Sequence, residues 1–590
     1  MLPKTTTTPY PLPLPLGPLG SIRGISIPSA FTKKPLCHYF GGVPYALPPT
    51  GEQRFRRPRP LPGGFVYGTE EAPGVYEGQT NVCPQPDSGA DVDADAAGEG
   101  RRESEDCLQV NVWVPAGEVC EGGITLINSF LGWPVYFWIP SSSKAAYRLN
   151  LLGFLASSEL LSDSSDGSVG NLGFWDQRLA LEWTAKKASY FGGNAGDLTV
   201  GGYSAGSHSA FHQLAYDLFL PDKQSLIKRC VMHSKSAGVQ PHTLSERQAQ
   251  FDELLSALSI PLSLSPSSKL SKLRSLSPKA LVHASQKMTL HQFRATSGGA
   301  FIRRDLFALI QNGDFAAEMR RRNITLLTGE CRDEHSLYGI WYPPLLSYLS
   351  LQTRLLADYP PSVCLAILSF YSPTQQLPRG CKDWRDAFGR IYADVQIHAT
   401  ERGFLSRLAS VQDLVYRYRV CWRAECIDGV FPPEWGVTHS SDMPIWFWAG
   451  GEGDYLREGE RRFVRRAFVD AHAVFLGGGD VRGVWGTQGM REVRRLRGDG
   501  EVDVWRDGLW DKGVELWEID CLKPLLHPIT SIARDLAKTR PAPAEKGISH
   551  LQSCIQNRCP SARHHLRLHN RSLKSYKLTV SRIFLSRSTP

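Results

Sequence analysis

The stretch Leu198–Ala210, LTVGGYSAGSHSA, constrains the fold more than any other. A short apolar run meets Gly202, Tyr203, Ser204, Ala205 and Gly206, then passes into a segment with Ala210, Phe211, Leu214 and Leu218 on one helical face. In a G-x-S-x-G turn the serine stands on a sharp bend between a strand and a helix. The glycines leave room for the backbone, and the next N–H faces an oxyanion forming at the serine. Ser204 is therefore the candidate nucleophile and the Ala205 N–H the candidate oxyanion donor. A pattern this short arises by chance about as often as not in a chain holding 54 glycines. Its neighbourhood has to carry the inference.

That neighbourhood supplies the required context. Upstream, NLGFWDQRLALEWTAKKASYFGG places Trp175, Leu179, Trp183 and Lys187 at helical spacing, and Gly192 and Gly193 stop the helix. Leu198–Val200 reads as the strand entering the turn. The elements NLGFWDQRLALEW, YFGGN and GYSAG together resemble the type-B carboxylesterases, the cholinesterase-like branch of the α/β hydrolases. The resemblance implies an α/β fold with a mostly parallel central sheet flanked by helices, and no metal or cofactor. Tyr203 departs from it, because most members carry Glu there.

The order of the remaining chemistry agrees. After an apolar run at Ile324–Leu327, Glu334 in GECRDEHSLY matches the family's triad acid, with Asp333 as the neighbouring alternative. His439, in PPEWGVTHSSDMPIWFW, matches the base, and Asp442 reads as a structural carboxylate of the same loop. Ser204, Glu334, His439 is the α/β-hydrolase order and differs from the orders of other serine-hydrolase folds. His208 and His233 are better read as packing residues than as bases. The segment CVMHSKSAGVQP, from Cys230, resembles the next core strand and a pocket-forming loop. Leu254–Leu281, rich in Ser, Leu and Pro, reads as a variable helical cap.

Charge locates no nucleic-acid partner in the catalytic region. Residues 521–590 hold thirteen Lys and Arg against Asp535 and Glu545, so that tail carries +11 while residues 1–520 sum to −2, within a net +9. The expected organisation is a proline-rich leader over 1–20, an esterase-like domain over 21–520 and a basic, disordered tail over 521–590. Proline at nearly every second leader position denies it the apolar helical centre of a secretory signal, so the default location is cytoplasmic, with secretion if the N-terminus is incomplete. Thirteen cysteines over this length form no dense framework. The resemblance implies one disulfide, Cys83 to Cys107, closing the acidic loop 87–106.

One interval breaks the pattern. Gly122–Ser143 is uncharged but is broken by Gly132 and Pro134, so no membrane span is expected. Val135–Ile139, VYFWI, reads as a buried strand, which in the family runs into an HGGGF-type loop giving two oxyanion donors. Here Pro140–Ala146 follows, and family-like sequence resumes at Tyr147. Relatives place a glycine loop, a connection and another core strand there, about 30 residues in all. The fold is therefore expected to lack one core strand segment near 140–146. The expected function is hydrolysis of a small carboxylic ester through an acyl-enzyme. The alternatives are an impaired esterase-like binding protein, or coding segments joined wrongly around Ile139–Tyr147.

Overall fold

The proline-rich leader belongs to the sheet. Strand β1 (Tyr10–Pro15) pairs antiparallel with β2 (Ser21–Pro28), which moves the start of the domain upstream of the expected residue 21. Pro11, Pro13 and Pro15 are exposed while Leu12 and Leu14 are half-buried. Proline at alternate positions of an edge strand leaves the donors of the other positions free to pair, which is why such a sequence suits the sheet's rim. The computed structural model describes residues 9–29, 32–86, 102–116, 124–131, 142–341, 343–344, 347–447 and 456–519. The expected strand Val135–Ile139, most of the acidic loop 87–106 and the basic tail 521–590 lie outside them.

Among the described residues thirteen strands form one sheet. After β2 come β3 (Pro35–Pro44), β4 (Gln109–Pro115), β5 (Ile124–Leu131), β6 (Ser142–Ala145), β7 (Gly193–Tyr203), β8 (Ile227–His233), β9 (Thr325–Cys331), β10 (Val415–Val420), β11 (Glu492–Leu496) and β12 (Val502–Arg506). Their spatial order is β1-β2-β3-β4-β6-β5-β7-β8-β9-β10-β11-β12, and Gly74–Val75 adds a short strand beside β2. From β6 through β11 every pairing is parallel, as the resemblance implied.

The expectation of a missing strand is corrected in part. Its place between β4 and β5 is filled by β6, four residues long, antiparallel to β4 and parallel to β5 over three residues each. A vacant lane would leave the backbone groups of β4 and β5 unpaired inside the sheet, and even a short strand satisfies some of them. On one side β7 pairs in parallel with Ile124–Leu131, a strand upstream of Val135–Ile139, and on the other with β8.

Helix α1 (Leu172–Lys187) explains its own motif. Asn171 holds φ +54 and exchanges two hydrogen bonds with the Thr296 backbone at 2.7 and 2.9 Å. Buried Asp176 binds Arg148 at 2.7 and 2.8 Å, fastening the residues after β6 to the helix. Gln177 reaches Ser209 at 3.0 Å, and Arg178 reaches Asp217 at 2.6 Å. The last two partners lie on α2 (Ala205–Leu218). The polar residues of NLGFWDQR are thus buried ties between segments far apart in sequence. In the cap, Ser265 and Ser277 each accept an N–H of a helix whose first residue is Pro266 or Pro278, so the Ser-Pro pairs start helices.

Candidate active site

Strand β7 delivers Ser204 to the carboxyl edge of the sheet, and α2 begins at the next residue. Ser204 holds φ +56 and ψ −120, a conformation side chains rarely adopt, at a cost of order 1–3 kcal/mol. Two bonds hold it. Its N–H donates to the His233 carbonyl at 2.9 Å, and its carbonyl accepts the His208 N–H at 3.1 Å. The Ala205 N–H, first in α2, has no carbonyl one turn back within the helix.

His439 lies in the loop before the helix Met443–Phe447. Its Nδ1 meets Glu334 Oε2 at 2.6 Å, with His439 3% and Glu334 0% exposed. Glu334 Oε1 accepts the Cys331 N–H at 2.8 Å, which fixes the carboxylate at the end of β9. Asp333 points elsewhere, accepting the Val437 N–H at 2.8 Å and pairing with Arg332 at 2.8 Å. The structure therefore brings His439 to Glu334 and leaves Asp333 out.

Tyr338 joins the site without having been anticipated. Its ring packs on His439 at 5.0 Å, and its hydroxyl stands 3.5 Å from Nε2. Burial, and then the Glu334 charge, push its phenol well above the ordinary value, so it stays neutral. No direct hydrogen bond links Ser204 to His439. The signal was present in the sequence, because Glu334 and Tyr338 are four apart and share a helical face.

Tyr203 shows what replaces Glu at its position. Its hydroxyl donates to Asp442 Oδ1 at 2.7 Å, accepts the Ser440 N–H at 2.9 Å and lies 3.1 Å from the Ser234 hydroxyl. Trp446 Nε1 holds the other Asp442 oxygen at 2.8 Å. Burial, and then Glu334, raise the Asp442 carboxyl above its ordinary value. Tyr203 also packs on the His439 ring at 5.3 Å. Strand β7 thus positions both the Ser204 bend and the His439 loop.

His208 and His233 are engaged elsewhere, the first with His212 at 3.1 Å and the second with the Tyr418 hydroxyl at 2.8 Å. The disulfide expected between Cys83 and Cys107 is not formed. Both are free, buried thiols, and Cys83 Sγ accepts the Leu149 N–H at 3.2 Å. They pack as small apolar side chains.

Comparison with known proteins follows this geometry. A family model described as "Carboxylesterase family" matches residues 13–145 and 143–488. Its two parts meet at β6, where family-like sequence was expected to stop and restart. A carboxylic ester hydrolase of Gibberella moniliformis is 41% identical over 539 residues, covering 85% of this chain and 95% of the relative. An uncharacterized esterase/lipase of Schizosaccharomyces pombe is 33% identical over 542 residues, covering 86% and 96%. Mouse cholinesterase is 25% identical over 515 residues, covering 80% of each chain. The crystal structure of Aspergillus niger EstA superposes with a TM-score of 0.65 at 19% identity, covering 86% of this chain and 97% of that one, which supports the fold.

Proposed function

The chain belongs to the carboxylesterase family and is a carboxylic-ester hydrolase, and on that premise we propose that Ser204, His439 and Glu334 carry the reaction through an acyl-enzyme. Ser204 Oγ attacks the ester carbonyl carbon while His439 Nε2 takes its proton. The oxyanion forms toward the Ala205 N–H. Collapse breaks the bond to the leaving oxygen, which takes the proton from His439. Water, deprotonated by the same nitrogen, then attacks the acyl carbon and releases the acid and free Ser204. Glu334 holds Nδ1–H, fixes the tautomer and stabilises the imidazolium.

The observation that carries this reading is the buried His439–Glu334 contact at 2.6 Å, with Ser204 on its bend next to Tyr203, whose ring packs on His439 at 5.3 Å. Tyr338 must yield Nε2 as substrate arrives, in keeping with catalytic contacts that tighten only in the substrate complex.

A second reading, an impaired esterase-like binding protein, is favoured by the break in the family match at residues 143–145. Each lost oxyanion donor costs about 2.7–4 kcal/mol in the transition state. Hydrolysis of 4-nitrophenyl acetate by the full chain and by Ser204→Ala, both checked for folding by circular dichroism, separates the two. Turnover that vanishes in Ser204→Ala supports the triad. A folded but inactive parent overturns it.

A further inference from the structure

Strand β1 is the outermost lane of the sheet among the described residues, with β2 on one side and no strand beyond it. An edge of this kind offers its outward N–H and C=O groups to any strand that arrives, the same strand of a second copy included. Whether β1 makes that offer depends on which way its backbone points.

In an antiparallel pair, facing residues alternate between those that exchange hydrogen bonds and those whose backbone groups point away from one another. Pro13 faces Arg23 and Pro15 faces Ser21. Both partners commit their backbone on the far side of β2. The Arg23 carbonyl accepts the Tyr76 N–H at 2.8 Å, and the Ser21 N–H donates to the Gly68 carbonyl at 3.1 Å. These two pairs therefore turn apart, and by the same alternation so does Pro11 opposite Ile25. Leu12 and Leu14 hold the hydrogen-bonded places opposite Gly24 and Ile22, and their side chains pack half-buried against the core. In the same phase, the Leu16 N–H donates to the Gly20 carbonyl at 2.7 Å.

The outward nitrogens of β1 are thus those of Pro11, Pro13 and Pro15, and none carries a hydrogen. That edge holds acceptors without donors. Where an N–H would point, a pyrrolidine Cδ stands in the way of an incoming carbonyl. All three rings are exposed, so no buried contact requires them. Pairing of β1 with β1 about a two-fold axis at Pro13 would set Pro13 against Pro13 and Pro11 against Pro15. Every N–H of that ladder would have to come from a proline. The opposite edge strand, β12, has no proline and carries Asp503 and Arg506, charges being another means to the same end.

We propose that Pro11, Pro13 and Pro15 guard the edge of the sheet, admitting β1 to its own sheet while preventing a second copy of the chain from adding its β1 there. This is independent of the ester-hydrolase reading.

The experiment gives the edge back its donors. In the triple variant Pro11→Thr, Pro13→Thr, Pro15→Thr, each new residue suits a strand and supplies one outward N–H. Sedimentation velocity of the full chain over roughly 1–100 µM should show the variant forming a species of twice the parent's mass, with association about a hundredfold tighter or more than the parent's. Amide exchange read by mass spectrometry should locate the contact. Peptides covering residues 10–15 should gain protection as the variant's concentration rises, and peptides covering β12 should not. Circular dichroism and tryptophan fluorescence matching the parent's establish folding. Pro13→Thr alone restores the central donors and serves where the triple variant does not fold. A folded variant that keeps the parent's mass throughout, or one that associates without protecting residues 10–15, overturns the proposal, as does a parent already paired through β1.

Discussion

Tyr203→Phe tests whether the tyrosine hydroxyl ties the nucleophile strand to the base's loop. The substitution keeps the ring against His439 and removes one oxygen. That oxygen donates to Asp442 at 2.7 Å and accepts the Ser440 N–H at 2.9 Å, between residues 3% and 0% exposed at Tyr203 and Asp442. A hydrogen bond to a buried charge is worth about 1.5–3 kcal/mol, and an orphaned buried N–H costs about 1–3 kcal/mol. The two share one oxygen and do not add fully, so the expected loss of stability is about 3 kcal/mol.

The loss should depend on pH. Asp442 is already raised by burial and by Glu334, and the Tyr203 donor opposes that rise. Without the donor its folded pKa climbs further above the unfolded value of 3.8. The folded variant then binds more protons than the unfolded chain across that window, so its stability falls as pH rises. Urea unfolding followed by tryptophan fluorescence at pH 5 and pH 8 should show the larger deficit at pH 8. A loosened Ser440 should also misplace His439 and lower kcat roughly tenfold or more with a smaller change in KM. A variant within about 0.5 kcal/mol of the parent at both pH values, with unchanged kcat, would refute the argument.

Glu334→Gln keeps the shape of the His439 partner but no longer selects the tautomer, so kcat should fall by about 10³–10⁴-fold with folding intact; a loss under tenfold would move the acid's role elsewhere. Tyr338→Phe retains the ring packing and frees Nε2 from a weak competitor, and breaking one such bond is worth about 0.5 kcal/mol or somewhat more. Its kcat should therefore rise roughly two- to fivefold, whereas a fall would mean that the hydroxyl assists the reaction. For Glu159, burial alone would raise the carboxyl, but Lys269 at 2.7 Å and Gln248 bring it down from 4.5 to about 2. Its folded pKa is depressed, so its stabilisation is present above pH 4.5 and is lost as pH falls toward 2. Glu159→Gln should flatten the acid limb of the stability profile by about 1 kcal/mol after solvent screening.

Local chemistry made much of this protein legible in its sequence. The glycines around Ser204 and the apolar period after it placed the bend, and α2 begins at Ala205 and ends at Leu218 as that period implied. Helix α1 was equally local, although Gly192, in the left-handed region at φ +75, ends the 3-10 turn Ala188–Phe191 that follows it rather than α1 itself. Glu334 and His439 were legible only through their resemblance to a family pattern, since a carboxylate and a histidine 105 residues apart carry no local sign of contact. The fold removed the alternative the resemblance left open, Asp333, because the turn after β9 aims adjacent side chains in different directions. It also brought the proline leader into the sheet, closed the interval near 140–146 with a four-residue strand, left Cys83 and Cys107 as free thiols, and set Tyr203 beneath the His439 loop. Turn chemistry and side-chain period act over a few residues and are written in the sequence. Which distant groups satisfy one another's buried hydrogen bonds and charges is decided when the chain packs, because the free energy of each partner depends on what the fold has placed beside it.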